Sequence, residues 1–236
     1  MLAEAFVLGI IAQSSLLFAG LVATWVTVPT RVIGALAGFG AGAILSAATF
    51  DLTDQAEALG GLEMSVWLLV GALVFVGGDA LVDRIFARSG AGGAGGAMGI
   101  VVGSVVDGVP ESLIFGIGVA AGTPVSIGFL AAVLVSNIPQ ALAPSADLVR
   151  AGWSRARLAG MWAGVVLACG LAAGLGYLLT QLDPSLSGDR MAALAAGGLI
   201  AMLTNSLMPF AFERGGAQAG IWTVVGFAVA VAPSIG

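Results

Sequence analysis

Residues 40–61, GAGAILSAATFDLTDQAEALGG, recur in altered form later in the chain. At a shift of 155 positions they align with residues 195–216, AAGGLIAMLTNSLMPFAFERGG. Two stretches rich in alanine, glycine and leucine can match by chance. The same offset continues without a gap into the following segment, however, and this favours a duplicated unit. The aligned identities are Ala41/Ala196, Gly42/Gly197, Thr49/Thr204, Leu52/Leu207, Ala56/Ala211, the closing Gly-Gly pair, Trp67/Trp222 and Gly71/Gly226.

The composition around this repeat is that of a membrane protein. Of 236 residues, 59% are hydrophobic and only 9% are charged, whereas a soluble domain carries about 25% charged residues. The single cysteine, Cys169, excludes a disulfide scaffold. Eight basic residues, all arginine, against thirteen acids give a net charge of −5, which disfavours a nucleic-acid partner.

Eight apolar stretches qualify as transmembrane helices, each long enough to cross a hydrocarbon core of about 30 Å. The first has Glu4 where a signal peptide would carry basic residues, so we expect it to be retained. The sequence therefore predicts an all-α polytopic membrane protein that forms a single transmembrane domain. The stretches cover approximately residues 2–26, 33–57, 66–86, 98–121, 125–148, 157–181, 190–211 and 216–235.

The arginines predict the orientation of these helices. Seven of the eight lie in odd-numbered connections, and only Arg190 lies in an even-numbered one. Because basic connections stay in the cytoplasm, both termini should be extracytoplasmic. We expect a multi-pass protein of the plasma membrane, which is the inner membrane in a bacterium. The seven are Arg31, Arg84, Arg88, Arg150, Arg155, Arg157 and Arg214.

The repeat and the alternating helices together predict an inverted arrangement. Helix 1 enters from outside and helix 6 from the cytoplasm, so the two three-helix units, residues 1–86 and 156–236, have opposite orientation. Residues 98–148 form a central hairpin of helices 4 and 5, which completes a 3+2+3 pattern. Its arms are joined closely around Gly122, Thr123 and Pro124, and the glycine-rich residues 88–97 precede it as a linker. Inverted repeats commonly build secondary transporters with a site near the bilayer midplane.

Two acids lie near the middle of helix 4, in GSVVDGVPESLIFG. A charge at the bilayer centre costs at least about 2.5 kcal/mol, so Asp107 and Glu111 should face a cavity or a partner. Their spacing of four places both carboxylates on one helix face, and Pro110 between them frees a carbonyl oxygen. With no arginine nearby, the pair favours a cation. The alternative is a protonated pair that is hydrogen-bonded to neighbouring helices.

Helix 5 carries neutral oxygen atoms at a similar depth, in VLVSNIPQALAPS. Ser136, Asn137 and Gln140 cluster around Pro139, so the two arms of the hairpin could supply about six oxygen ligands to one ion. We expect a cation as the transported substrate and no tightly bound cofactor. The alternative for Ser136 and Asn137 is that they only form hydrogen bonds between helices.

Other polar residues occupy the two expected mouths of a pathway. Asp51 lies toward the outer end of helix 2, and Asn205 and Ser206 lie in the inner half of helix 7. The acids Asp54, Glu57 and Glu213 are equally well explained as solvated helix ends. The chain has no histidine and no lysine, which excludes a Ser-His-Asp triad, a histidine-bearing zinc hydrolase and a Walker loop. We therefore do not expect an enzyme.

These motifs resemble the ZIP family of divalent-metal transporters, whose helix 4 typically reads H-N-x-P-E-G and whose helix 5 carries a similar motif. Here the two stretches are DGVPES, residues 107–112, and SNIPQA, residues 136–141. The resemblance implies a primary metal site formed by Asp107, Glu111, Ser136 and Gln140, with Asn137 at a second, adjacent site. It also implies a homodimer in which the hairpin moves like an elevator against a scaffold.

The sequence departs from the family in its donor atoms. Both expected histidines are absent, and the helix 5 glutamate is Gln140. Oxygen-only ligands suit harder ions such as manganese, magnesium or ferrous iron. The resemblance implies a cation of the zinc, iron or manganese class. We expect alternating access through one mid-membrane site on helices 4 and 5. The alternative is a ZIP-like homologue that has lost metal transport and acts as a sensor or binding protein or carries another solute.

Overall fold

A computed structural model of the chain describes residues 1–88, 96–122, 126–182 and 188–232. The described residues form eight helices, of which the first seven are long and apolar enough to cross a membrane. By its number of apolar helices the chain is a multi-pass membrane protein. The helices are α1 (Leu2–Val22), α2 (Thr30–Gln55), α3 (Gly61–Arg88), α4 (Gly96–Ala121), α5 (Ile127–Arg150), α6 (Arg155–Leu182), α7 (Gly188–Gly215) and α8 (Gln218–Val231).

Each predicted helix is found, with ends displaced by a few residues. The main difference is α8, which has 14 residues and therefore a length of about 21 Å at 1.5 Å per residue. The predicted stretch, residues 216–235, begins two residues before α8, and its residues 233–235 lie outside the described part of the chain. Of the two predicted connections around the hairpin, residues 89–95 and 123–125 lie outside the described part of the chain.

The helices alternate in direction, so that their connections meet at two ends. At one end the Arg155 guanidinium lies 4.8 Å from the Trp25 ring centroid, and Gly34 packs against Gly215. We call this the arginine-bearing end. At the opposite end, where the N-terminus lies, Arg190 pairs with Glu63 at 2.9 Å.

Two π-helical turns interrupt the α-helical hydrogen bonding of α2 and α7. They span Ala47–Leu52 and Leu203–Leu207. At the offset of 155 found in the sequence, the first segment falls on residues 202–207. The hydroxyl of Thr49 donates to the Leu45 carbonyl at 2.8 Å, and the aligned Thr204 donates to Ile200 at 3.0 Å. The two aligned segments thus share the same local irregularity.

The same offset relates the closest helix contacts. A Cβ added to Gly42 of α2 would lie 1.8 Å from the carbonyl oxygen of Thr223 in α8. A Cβ added to the aligned Gly197 of α7 would lie 1.9 Å from the carbonyl oxygen of Leu68 in α3. Leu68 is the residue aligned with Thr223. A second aligned set of contacts consists of Gly226 against Phe39 and Gly71 against Leu194. Therefore α2 packs on α8 in the same way as α7 packs on α3.

The hairpin of α4 and α5 lies among the other helices. α4 packs against α6, α1 and α7, while α5 packs against α1 and α2. In contrast α3 is the most exposed of the long helices, with Leu62, Leu69 and Leu73 largely exposed. Such apolar exposure suits contact with lipid. The arrangement buries the middle of α4 and α5 against the neighbouring helices.

Candidate cation site

Asp107 and Glu111 lie buried in the middle of α4, which stays helical across Pro110. The Glu111 side chain is fully buried, and Asp107 is 5% exposed. Glu111 Oε2 accepts a hydrogen bond from Gln13 Nε2 at 2.9 Å. Among the described residues, neither Glu111 Oε1 nor Asp107 Oδ1 has a hydrogen-bond partner. Because buried polar atoms are nearly always partnered, these two oxygen atoms require an explanation.

Gln140 of α5 is the third member of this group. Its side chain is buried, and its Nε2 also lacks a partner within the described part of the chain. Gln140 lines the same cavity as Asp107 and Ser206. A half-turn of the amide exchanges its nitrogen and oxygen, so Gln140 can present an oxygen to this space. Asp107, Glu111 and Gln140 thus each have a buried polar atom without a partner in the described part of the chain, and Asp107 and Gln140 line one cavity.

Asn137 and Ser136 are held by other helices. Asn137 donates to Gln13 Oε1 at 2.9 Å and to the Ala12 carbonyl at 3.4 Å, both in α1. Ser136 packs against Gly40 of α2, and its hydroxyl donates to the Val133 carbonyl at 3.0 Å. Asn137 is therefore joined to Glu111 through Gln13, whereas the described contacts of Ser136 are with α2 and its own helix.

Gln13 is the site residue that the sequence analysis missed. It lies on α1, 98 positions before Glu111, and its side chain is fully buried. The available signal was an amide in the middle of an apolar helix, LAEAFVLGIIAQSSLLFAGLV. The repeat does not reveal it, since the aligned residue is Ala168.

One cavity reaches the site from the arginine-bearing end, and we call it the Asp107 cavity. It has a volume of about 150 Å³. It is bounded by the first half of α4, which contains Asp107, and by the second halves of α5 and α7. Its lining residues are Gly103, Ser104, Asp107, Gln140, Ser206, Leu207 and Phe210.

A second cavity, the Asp51 cavity, opens at the opposite end. It is lined from α2 by Asp51, Leu52 and Gln55. At the offset of 155, these three positions fall on Ser206, Leu207 and Phe210, which line the Asp107 cavity. Corresponding positions of α2 and α7 therefore form cavities at opposite ends of the molecule.

The Asp51 cavity ends before it reaches Glu111. Phe115 and Phe129, one from each arm of the hairpin, stack with ring centroids 4.9 Å apart and are almost fully buried. Phe115 lies one helical turn beyond Glu111. Ser126, which caps α5 by accepting from Phe129 N at 3.1 Å, donates its hydroxyl to Asp51. The aromatic pair and this hydrogen bond close the hairpin against α2.

The two predicted pathway residues have different surroundings. Asp51 is half-buried in its cavity. Asn205 is exposed, and the neighbouring Ser206 lines the Asp107 cavity in its place. Within the described ranges no three His, Cys, Asp or Glu side chains converge, so a cation at this site would have two carboxylates and neutral donors.

The sequence has no match among models of known protein families or among curated proteins.

Proposed function

We propose that the protein is a ZIP-like secondary transporter that moves a divalent cation of the zinc, iron or manganese class by alternating access. Asp107 and Glu111 supply the negative charge and Gln140 an amide oxygen. The sequence also predicts Ser136 and Asn137 as oxygen donors, but in the described conformation Ser136 bonds within its own helix and Asn137 bonds to α1. The observation that carries the proposal is that Asp107, Glu111 and Gln140 each have a buried polar atom without a partner among the described residues, two of them at the Asp107 cavity.

A cation explains this group better than hydrogen bonding alone. Burying an ionised carboxylate without compensation is very costly, and a positive ion offsets that cost by coordinating the free oxygens. Among the described residues, those that line the Asp107 cavity include no arginine that could offset the charge. Carboxylate and amide oxygens are ligands for hard divalent ions such as manganese and magnesium, and zinc also accepts carboxylates.

The two cavities support alternating access. They open at opposite ends, and aligned positions of the two proposed inverted repeats line them. With the 3+2+3 arrangement, exchanging the conformations of the repeats would close one cavity and open the other. The described conformation gives access from the arginine-bearing end, which the distribution of arginines assigns to the cytoplasm. The ZIP resemblance further implies a homodimer.

Transport by purified protein in liposomes tests this function. We expect Asp107→Asn/Glu111→Gln to reduce manganese uptake to the level of protein-free liposomes, because the charge that holds the ion is removed. A matched control is Glu4→Gln/Asp147→Asn, which removes the same charge from two exposed acids. Uptake by the site variant equal to that of wild type would refute the proposed site.

Calorimetry separates transport from the alternative of a homologue that no longer transports metal. We expect saturable binding of at least one of manganese, ferrous iron, zinc or cadmium to the purified wild-type protein, with loss in Asp107→Asn/Glu111→Gln. Absence of saturable binding to all four would contradict a metal transporter and favour a homologue that carries another solute.

A further inference from the structure

A chain of amides connects α1 to the candidate site. The Asn137 amide donates to Gln13 Oε1, and Gln13 Nε2 donates to Glu111 Oε2, both at 2.9 Å. All three side chains are buried, and they come from α5, α1 and α4 respectively. The orientation of the Gln13 amide follows from its partners. A carboxylate only accepts, so the nitrogen of Gln13 must face Glu111 and its oxygen must face the Asn137 nitrogen.

This chain restricts how Glu111 can bind an ion. Its Oε2 is occupied by an N–H donor, while Oε1 is unpartnered. A cation can therefore coordinate the Oε1 side without breaking a hydrogen bond. On the Oε2 side, the amide group of Gln13 stands between Glu111 and Asn137, with its nitrogen toward Glu111 and its oxygen toward Asn137. A cation shared by those two residues would have to bind there.

We propose that Gln13 is a positioning and specificity-determining residue that limits the site to one divalent cation. Its NH₂ group takes the place of a second ion beside Glu111 Oε2 and leaves Oε1 available to the ion that Asp107 and Gln140 bind. The inference rests on the proposed function, because it defines the capacity of the same site.

The ordinary role of a buried glutamine between helices is to hold them together by hydrogen bonds. That role predicts lower stability for any substitution at Gln13 but no change in the number of ions bound. A positioning role predicts changes in affinity and stoichiometry that depend on the chemical character of the new side chain.

Two variants of similar length separate these roles. Gln13→Glu keeps an acceptor for Asn137 but places a second carboxylate against Glu111. Because this carboxylate adds negative charge where the NH₂ group stood, we expect a second ion to bind. Calorimetry with manganese or cadmium should then give two ions per chain in place of one. Gln13→Met removes both hydrogen bonds. We expect it to bind one ion about 10- to 100-fold more weakly, as for other residues that orient a metal ligand. One ion in Gln13→Glu together with unchanged affinity in Gln13→Met would overturn the proposal.

An infrared measurement on metal-free protein tests the hydrogen bond by itself. The carboxyl band of Glu111 is identified by its loss in Glu111→Gln. We expect this band to shift in Gln13→Met and to stay in place in the control Ser14→Ala, which removes a hydroxyl that donates within α1. An unshifted band in Gln13→Met would overturn the proposal. If wild type binds no ion, the proposed function fails, and the infrared result still decides whether Gln13 holds Glu111.

Discussion

Alanine in place of Gly42 or Gly197 should destabilise the protein to a similar extent, because both glycines make the same helix contact. The new Cβ would lie 1.8 Å from Thr223 O in the first case and 1.9 Å from Leu68 O in the second, whereas real Cβ contacts are essentially never under 3.0 Å. The opposing helix must therefore move by about 1 Å. Overpacking of this kind costs about 1–3 kcal/mol.

Thermal unfolding of detergent-solubilised protein, followed by circular dichroism, measures this effect. At roughly 2–4 °C per kcal/mol for a chain of this size, we expect both variants to lower Tm by about 2–12 °C. The matched control is Gly164→Ala in the interior of α6, where an added Cβ meets open space. That substitution should leave Tm unchanged or raise it, since alanine is favoured over glycine in a helix by about 0.5–1 kcal/mol.

The aligned pair makes the result decisive for the proposed repeat. If Gly42→Ala lowered Tm while Gly197→Ala behaved like Gly164→Ala, the two helix pairs would not be packed equivalently. The reasoning from the 155-residue offset to two matching halves would then be refuted.

Three further predictions concern the pathway and its orientation. Phe129→Ala removes a stacked pair worth about 0.5–1.5 kcal/mol, so access from the Asp51 cavity should rise roughly 2- to 13-fold. Cation leak through liposomes measures this access, and an unchanged leak would exclude a gate at this pair. Ser206→Ala should weaken manganese binding in calorimetry while Asn205→Ala leaves it unchanged, and the reverse order would show that Asn205 faces the ion. In a Cys169→Ser background, Arg31→Cys should react with an impermeant maleimide only from the cytoplasmic side. Glu63→Cys should react only from outside. Labelling of both from one side would contradict the alternating helices.

The apolar spans and the buried acids were predictable because each depends on local sequence. Hydropathy alone fixes where α1–α7 lie, and the spacing of Asp107 and Glu111 places both on one face of a helix. The partner of Glu111 was not predictable in this way. Gln13 is brought to it by the packing of α1, and nothing near either residue in the sequence encodes that pairing.

The assignment of helix faces near the mouths was limited for a different reason. The turn at Leu203–Leu207 is π-helical, and a π turn contains an additional residue, which rotates the following side chains by about 100° relative to an uninterrupted α-helix. Spacing counted for an α-helix therefore cannot decide between Asn205 and Ser206. The repeat offers the better guide, because Ser206 is the position aligned with Asp51.

The most direct measurement is anomalous scattering from crystals soaked with manganese or cadmium. We predict one peak per chain between α4 and α5, about 2.0–2.6 Å from carboxylate oxygens of Asp107 and Glu111, and no peak there in Asp107→Asn/Glu111→Gln. Acid side chains that turn away from the hairpin partner, with no density between them, would contradict a cation site.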